Sequence, residues 1–184
     1  SGADFVQLTG GGYHSLALKS DGSLASWGRD NYGQVSNTPT SGVFTQVAGG
    51  CGQHSLALHA NSSIFAWGQD NTGQVSNTPP GNDFIQVAGG YYHSLALKSN
   101  GSIISWGNDA FGQVLNTPST SDFTQIAGGA QHSLALKSNG SIASWGANSY
   151  DVNDCESTWD GASNTANIMN NVPPPDPQAN TAAQ

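Results

Sequence analysis

Four histidines at regular spacing are the residues in this sequence best suited to acid–base chemistry or metal binding. They are His14, His54, His93 and His132, which lie 40, 39 and 39 residues apart. An imidazole titrates near neutral pH and is a common metal ligand, but a catalytic site needs different residue types that converge on one point. Here one residue type is copied at equivalent places. We therefore expect each histidine to begin a β-strand and to hydrogen-bond the backbone of a neighbouring repeat, with a shared metal site as the alternative.

Single carboxylates follow the repeats and could bind calcium. Asp30, Asp70 and Asp109 stand in W-G-x-D segments, and the stretch 151–156 reads D-V-N-D-C-E. Calcium prefers several oxygen ligands, whereas each repeat supplies one carboxylate, and Cys155 occupies the third ligand position of an EF-hand-like stretch. We expect the three aspartates to cap turns, with calcium binding as the alternative at both places.

No nucleophile elbow, phosphate-binding loop, zinc pattern or dinucleotide fingerprint occurs in the sequence. An enzyme that cleaves glycans would need two carboxylates facing one another, and the sequence offers only single, copied ones. We therefore predict no catalytic residues, no cofactor and no metal, and a protein that is not an enzyme.

Four tryptophans keep the same spacing as the histidines. They are Trp27, Trp67, Trp106 and Trp145. A large ring buries much apolar area, so we expect each to pack between repeats, with stacking on a sugar or another ligand as the alternative. Trp159 lies outside the repeat and is a candidate for a contact made by the C-terminal segment.

The histidine and tryptophan positions belong to a unit of 39–40 residues that is written four times between about residues 4 and 146. Each unit predicts three short strands: a segment such as FTQVAGG, a segment such as HSLALKS with period-two alternation, and a segment such as SLASWG. Asp-Gly or Asn-Gly pairs between the last two favour a tight hairpin turn, and Asn61-Ser62 in the second unit predicts a looser one. The pattern predicts an all-β, propeller-like array of four blades with three or four strands each.

The predicted organisation is a repeat region, residues 1–150, followed by an extended Pro- and Asn-rich arm, residues 151–184. The repeats are bounded at about 4–43, 44–82, 83–121 and 122–150. The Pro173-Pro174-Pro175 run in the arm favours an extended polyproline conformation.

The composition excludes two kinds of partner. The net charge is −8 with only four basic residues, so the clustered Lys and Arg that bind phosphate backbones are missing. No apolar run approaches the roughly 18 residues of a membrane span. Few charges and many Asn, Thr and Ser residues favour an extracellular or cell-surface location.

Two covalent modifications are open. Cys51 and Cys155 allow one disulfide or none. Asn61, Asn100 and Asn139 each begin an N-x-S sequon on the hairpin turn, which indicates either a glycan acceptor or simply good turn chemistry.

The repeat A-G-G-x-x-H-S-L-A-L-K-S-[DN]-G-S-[LIV]-x-x-W-G-x-[DN]-x-x-G-Q resembles that of the regulator of chromosome condensation family. Its short spacing is most similar to bacterial members, which include a propeller-type inhibitor of beta-lactamase. The resemblance implies a propeller of seven blades that serves mostly as a binding platform. One branch is an exchange factor for a small nuclear GTPase and uses an inserted β-wing, which this sequence lacks. Seven such units would need about 270 residues, and four are present here.

We predict a non-enzymatic, extracellular assembly protein whose copies associate head-to-tail into a ring or a filament. One alternative is a protein-binding module of inhibitor or adhesin type that uses one rim of the propeller, and another is a fragment of a longer seven-bladed protein. Aromatic anchors often dominate binding energy at interfaces. The candidate interface residues are Tyr13, Tyr32, Tyr91, Tyr92, Phe111 and Trp159.

Overall fold

The computed structural model describes residues 4–147, and in this range the protein is all β. Twelve strands form four antiparallel sheets of three strands each, which confirms the predicted propeller-like array of four blades. Residues 4–147 contain no helix that is long and apolar enough to cross a membrane.

Each sheet, here called a blade, uses three strands that follow one another in the chain. Blade 1 comprises β1 (Phe5–Gly10), β2 (His14–Lys19) and β3 (Leu24–Gly28). Blade 2 comprises β4 (Phe44–Gly49), β5 (His54–His59) and β6 (Ile64–Gly68). Blade 3 comprises β7 (Phe84–Gly89), β8 (His93–Lys98) and β9 (Ile103–Gly107). Blade 4 comprises β10 (Phe123–Gly128), β11 (His132–Lys137) and β12 (Ile142–Gly146).

A β-bulge in the first strand of every blade decides which residues face the preceding blade. In blade 2 the register shifts between Phe44 and Gln46, so Thr45 is left out of the pairing. Residues three apart would point to opposite faces of a regular strand, but the bulge lets Phe44 and Val47 enter the same apolar cluster. The bulge recurs at the equivalent place in the other three blades.

The hairpin turn between the second and third strands has the same backbone in all four blades. Its last residue has a positive φ angle: 82° at Gly22, 65° at Ser62, 82° at Gly101 and 85° at Gly140. The looser turn predicted for blade 2 is therefore wrong. Ser62 adopts the left-handed conformation because the flanking strands pair in the same register as elsewhere, and an L-residue does so at a cost of roughly 1 kcal/mol.

The apolar core consists of three clusters, one between each pair of successive blades. Between blades 1 and 2, Leu16 and Leu18 contact Phe44, Val47, Ala57 and Trp67. The equivalent residues meet between blades 2 and 3 and between blades 3 and 4. A blade thus presents a leucine face to the next blade and a face with phenylalanine, alanine and tryptophan to the preceding one, which packs bulky side chains against smaller ones.

Candidate interaction surfaces

The repeat histidines form a ladder of hydrogen bonds from each blade to the next. Nε2 of His14 lies 2.7 Å from Oγ of Ser55, that of His54 lies 3.1 Å from Oγ of Ser94, and that of His93 lies 3.0 Å from Oγ of Ser133. Each histidine begins a strand, as predicted. The expected partner was wrong, however, because the imidazole reaches a serine hydroxyl of the next blade and not its backbone.

Ser94 has two hydrogen-bond partners, and this shows which ring nitrogen of His54 carries the proton. Ser94 donates its hydroxyl hydrogen to the backbone oxygen of Gln74 at 3.2 Å, so its oxygen accepts from Nε2–H of His54. In this tautomer Nδ1 carries no proton, and Nδ1 of His14, His54 and His93 has no hydrogen-bond partner within residues 4–147.

Burial keeps these imidazoles neutral. Loss of hydration lowers the pKa of His54 to about 3, helped by the neighbouring His93 and His14. It lowers the pKa of His93 to about 4, helped by His132, and it lowers the pKa of His14 as well. Ser55, Ser94 and Ser133 are fully buried, so these Ser–His pairs have no access to a substrate. Their role is to join blades.

A glutamine in each first strand makes a second ladder, which the sequence analysis missed. Nε2 of Gln7 donates to the backbone oxygen of Val47 at 3.1 Å, and Oε1 of Gln7 accepts from the backbone N–H of Val47 at 2.9 Å. Gln46 binds the backbone of Val87 in the same way, and Gln86 binds that of Ile126. The signal was present as glutamine at residues 7, 46, 86 and 125, two positions after each repeat phenylalanine.

Three of the four tryptophans pack between blades as expected. The indole N–H groups of Trp67, Trp106 and Trp145 donate to backbone oxygens of the preceding connector at 2.9–3.0 Å; the acceptors are Gln34, Gln74 and Gln113. These rings are buried, which leaves no face for a sugar. Trp27 differs: its side chain is 48% exposed, because no blade precedes it in residues 4–147.

The aspartates of the connectors act as turn caps. Oδ1 of Asp30 accepts from the backbone N–H groups of Val35 and Ser36 at 2.8 and 2.9 Å, and these bonds lower the pKa of that carboxyl group. Asp70 and Asp109 make the same pair of bonds in their own connectors. Within residues 4–147 no three His, Cys, Asp or Glu side chains are grouped so that they could hold a metal ion.

The three sequon asparagines are exposed and take part in the hairpin turns. The side-chain oxygen of Asn100 accepts from the backbone N–H of Ser102 at 3.0 Å and from its hydroxyl at 2.7 Å. Asn61 and Asn139 do the same with Ser63 and Ser141. Turn chemistry thus accounts for these residues, and glycosylation stays a prediction.

The predicted interface aromatics lie at one rim of the blades. The start of β2 pairs with the end of β3 through His14 and Gly28, so the loop before each second strand and the loop after each third strand emerge together. Tyr13, Tyr32 and Phe111 are exposed there. The Arg29 guanidinium lies 5.1 Å from the centre of the Tyr13 ring.

Tyr91 and Tyr92 at the same rim are half-buried, with ring centres 4.3 Å apart. Burial, followed by a hydrogen bond with Tyr91, raises the pKa of Tyr92. Trp159, the proposed calcium stretch at 151–156 and the arm all lie outside the described residues. So does Cys155, and with it the predicted Cys51–Cys155 disulfide.

Three segments of the chain, residues 5–34, 84–113 and 123–151, match the family of the "Regulator of chromosome condensation (RCC1) repeat". Blades 1, 3 and 4 contain RCC1 repeats. The second repeat departs from these by one extra residue before His54 and by Asn61-Ser62, yet blade 2 keeps the strand register of the three RCC1 blades. A comparison with curated proteins finds no match.

Solved propellers share the fold of these RCC1 repeats. Human WBSCR16 is 23% identical with a TM-score of 0.66, over 77% of this chain and 47% of its own. The ectodomain of the Physcomitrella patens receptor kinase CR4 is 22% identical with a TM-score of 0.67, over 81% and 42%. Yeast RCC1 (Prp20), solved with Kap60, is 24% identical with a TM-score of 0.67, over 79% and 44%. The chain therefore spans less than half the length of each of these proteins.

The first and last RCC1 blades each leave one face uncovered in the described part of the chain. Blade 1 exposes 48% of Phe5, 67% of Leu8 and 48% of Trp27. Blade 4 exposes 49% of Ile142, and Leu134 and Leu136 beside it are only half-buried, although their equivalents Leu95 and Leu97 are fully buried. The ladders end at the same two faces, on Ser15 and on His132. These two faces and the aromatic rim are the candidate interaction surfaces within residues 4–147.

Proposed function

We propose that this chain is a non-enzymatic protein-interaction module of RCC1 repeats whose copies associate head-to-tail through the open faces of blades 1 and 4. This proposal rests on one observation: the two open faces carry the same kinds of residues as the two sides of each internal interface. Blade 4 offers the leucine face that receives a phenylalanine, a small residue and a tryptophan inside the molecule. Blade 1 offers those residues.

The exposed apolar area of these faces favours their burial against another copy over their exposure to water. Burying apolar surface contributes about 25 cal/mol per Å², and Phe5, Leu8 and Trp27 are large side chains. A contact between two unlike faces of identical molecules is heterologous, so it leads to a ring or to an open filament. The extracellular location is part of the same proposal and is supported by the low charge and the polar composition of the chain.

The aromatic rim supports a second function, binding of another protein. Exposed Tyr13, Tyr32 and Phe111 are residues of the type that anchor interfaces. A related propeller, Prp20p of Saccharomyces cerevisiae, was studied for its binding to Gsp1p and histones. A third reading is that further RCC1 blades of a longer chain cover both open faces, consistent with the share of the solved propellers that this chain spans.

Sedimentation equilibrium of the full chain over a wide concentration range tests the proposal. The average mass of the wild type should rise with concentration, and Leu8→Glu should remain a monomer because it places a charge on the open face of blade 1. Ile85→Glu is the matched control, since Ile85 is 52% exposed on β7 away from both end faces, and this variant should associate like the wild type. A wild type that stays monomeric at every concentration contradicts head-to-tail association.

A further inference from the structure

The two open faces carry unpaired halves of the internal ladders as well as apolar side chains. The open face of blade 4 carries His132 and Gln125, whose counterparts in blades 1 to 3 bind the next blade. The open face of blade 1 carries the groups that these side chains bind elsewhere. They are Ser15, the equivalent of Ser55, and the backbone of Leu8, the equivalent of Val47. In both ladders, the group that needs a partner on one face has that partner on the other.

We infer that a second copy docks in the same register as an internal blade, so that His132 of one copy bonds Ser15 of the next and Gln125 bonds the backbone of Leu8. This inference rests on the proposed head-to-tail association and specifies its geometry. Leu134, Leu136 and Ile142 then receive Phe5, Leu8 and Trp27, as the equivalent residues do inside the molecule. The partner is a second copy because the complementarity lies within one chain.

Complementary variants isolate a single joint for measurement. Leu8→Glu blocks the blade 1 face and leaves the blade 4 face intact, and Ile142→Glu does the opposite. Each variant alone should be a monomer, and an equimolar mixture should form a one-to-one dimer in which Leu8→Glu supplies blade 4. Sedimentation equilibrium gives the mass, and titration of a fluorescently labelled variant gives the Kd.

The register is tested by placing one substitution in either copy. Gln125→Ala added to the Leu8→Glu chain removes two hydrogen bonds from the joint and should weaken it roughly 5- to 150-fold. The same Gln125→Ala added to the Ile142→Glu chain lies away from the joint and should leave the Kd unchanged. If Gln125→Ala changes the Kd equally in the two chains, or in neither, the proposed register is overturned while association itself stands.

If the mixture of the two variants and the wild type both stay monomeric, the proposed function itself is contradicted.

Discussion

Lowering the pH should destabilise the blades through the buried histidine ladder. The pKa of His54 falls to about 3 and that of His93 to about 4 because burial disfavours the charged imidazolium, whereas an exposed histidine titrates at 6.5. Between these values the unfolded chain binds protons that the folded chain does not. The free energy of unfolding is therefore highest above pH 6.5 and is lost as the pH falls toward the folded values.

The size of the loss follows from the pKa difference. Each pH unit below 6.5 costs about 1.36 kcal/mol per histidine, so His54 and His93 each remove about 2 kcal/mol at pH 5 relative to pH 8. Against a total stability of about 5–15 kcal/mol, the two together shift the unfolding midpoint substantially.

Urea unfolding of the wild type and of His93→Gln, at pH 8 and at pH 5, measures this contribution. Glutamine can still donate to Ser133 but does not titrate, so the variant should lose about 2 kcal/mol less than the wild type between the two pH values. Leu95→Ala is the control: it lowers the stability at both pH values and should keep the wild-type dependence on pH. If His93→Gln shows the wild-type dependence, the assignment of acid sensitivity to this ladder is refuted.

Two comparisons between matched residues test the packing of the blades. Leu95→Ala should cost about 2–5 kcal/mol because the side chain is fully buried, and Lys98→Ala should cost about 0–1 kcal/mol because its ion pair is partly exposed; equal losses in chemical denaturation would show that the strand faces are misassigned. Trp106→Phe should cost about 0.5–1.5 kcal/mol because it removes one of the two donors to the buried oxygen of Gln74, the other being the Ser94 hydroxyl. Trp27→Phe should leave the thermal unfolding of the monomer nearly unchanged, and a loss as large as that of Trp106→Phe would mean that the blade 1 face is already covered.

The local structure of this protein could be predicted because it depends on contacts that are close in sequence. The alternation of Leu16 and Leu18 with Ala17 shows period two, which predicts a strand with one bulky face. Asp21-Gly22 joins that strand to the next because glycine readily takes the positive φ angle that the turn requires. Four copies of this hairpin at a constant period predict four stacked blades, and the structure confirms them.

The partners across the blade interfaces could not be predicted, because they lie about 40 residues apart and depend on how two sheets are placed. The histidines reach serine hydroxyls and not the backbone, and the glutamines bind the first strand of the next blade because a bulge reorients each first strand. Trp27 and Trp67 occupy equivalent positions in the repeat, yet one is 48% exposed and the other 5%. Sequence alone determines the blade and its two unlike faces; only the tertiary structure decides which faces are covered, since a residue's burial depends on the neighbour that packs against it.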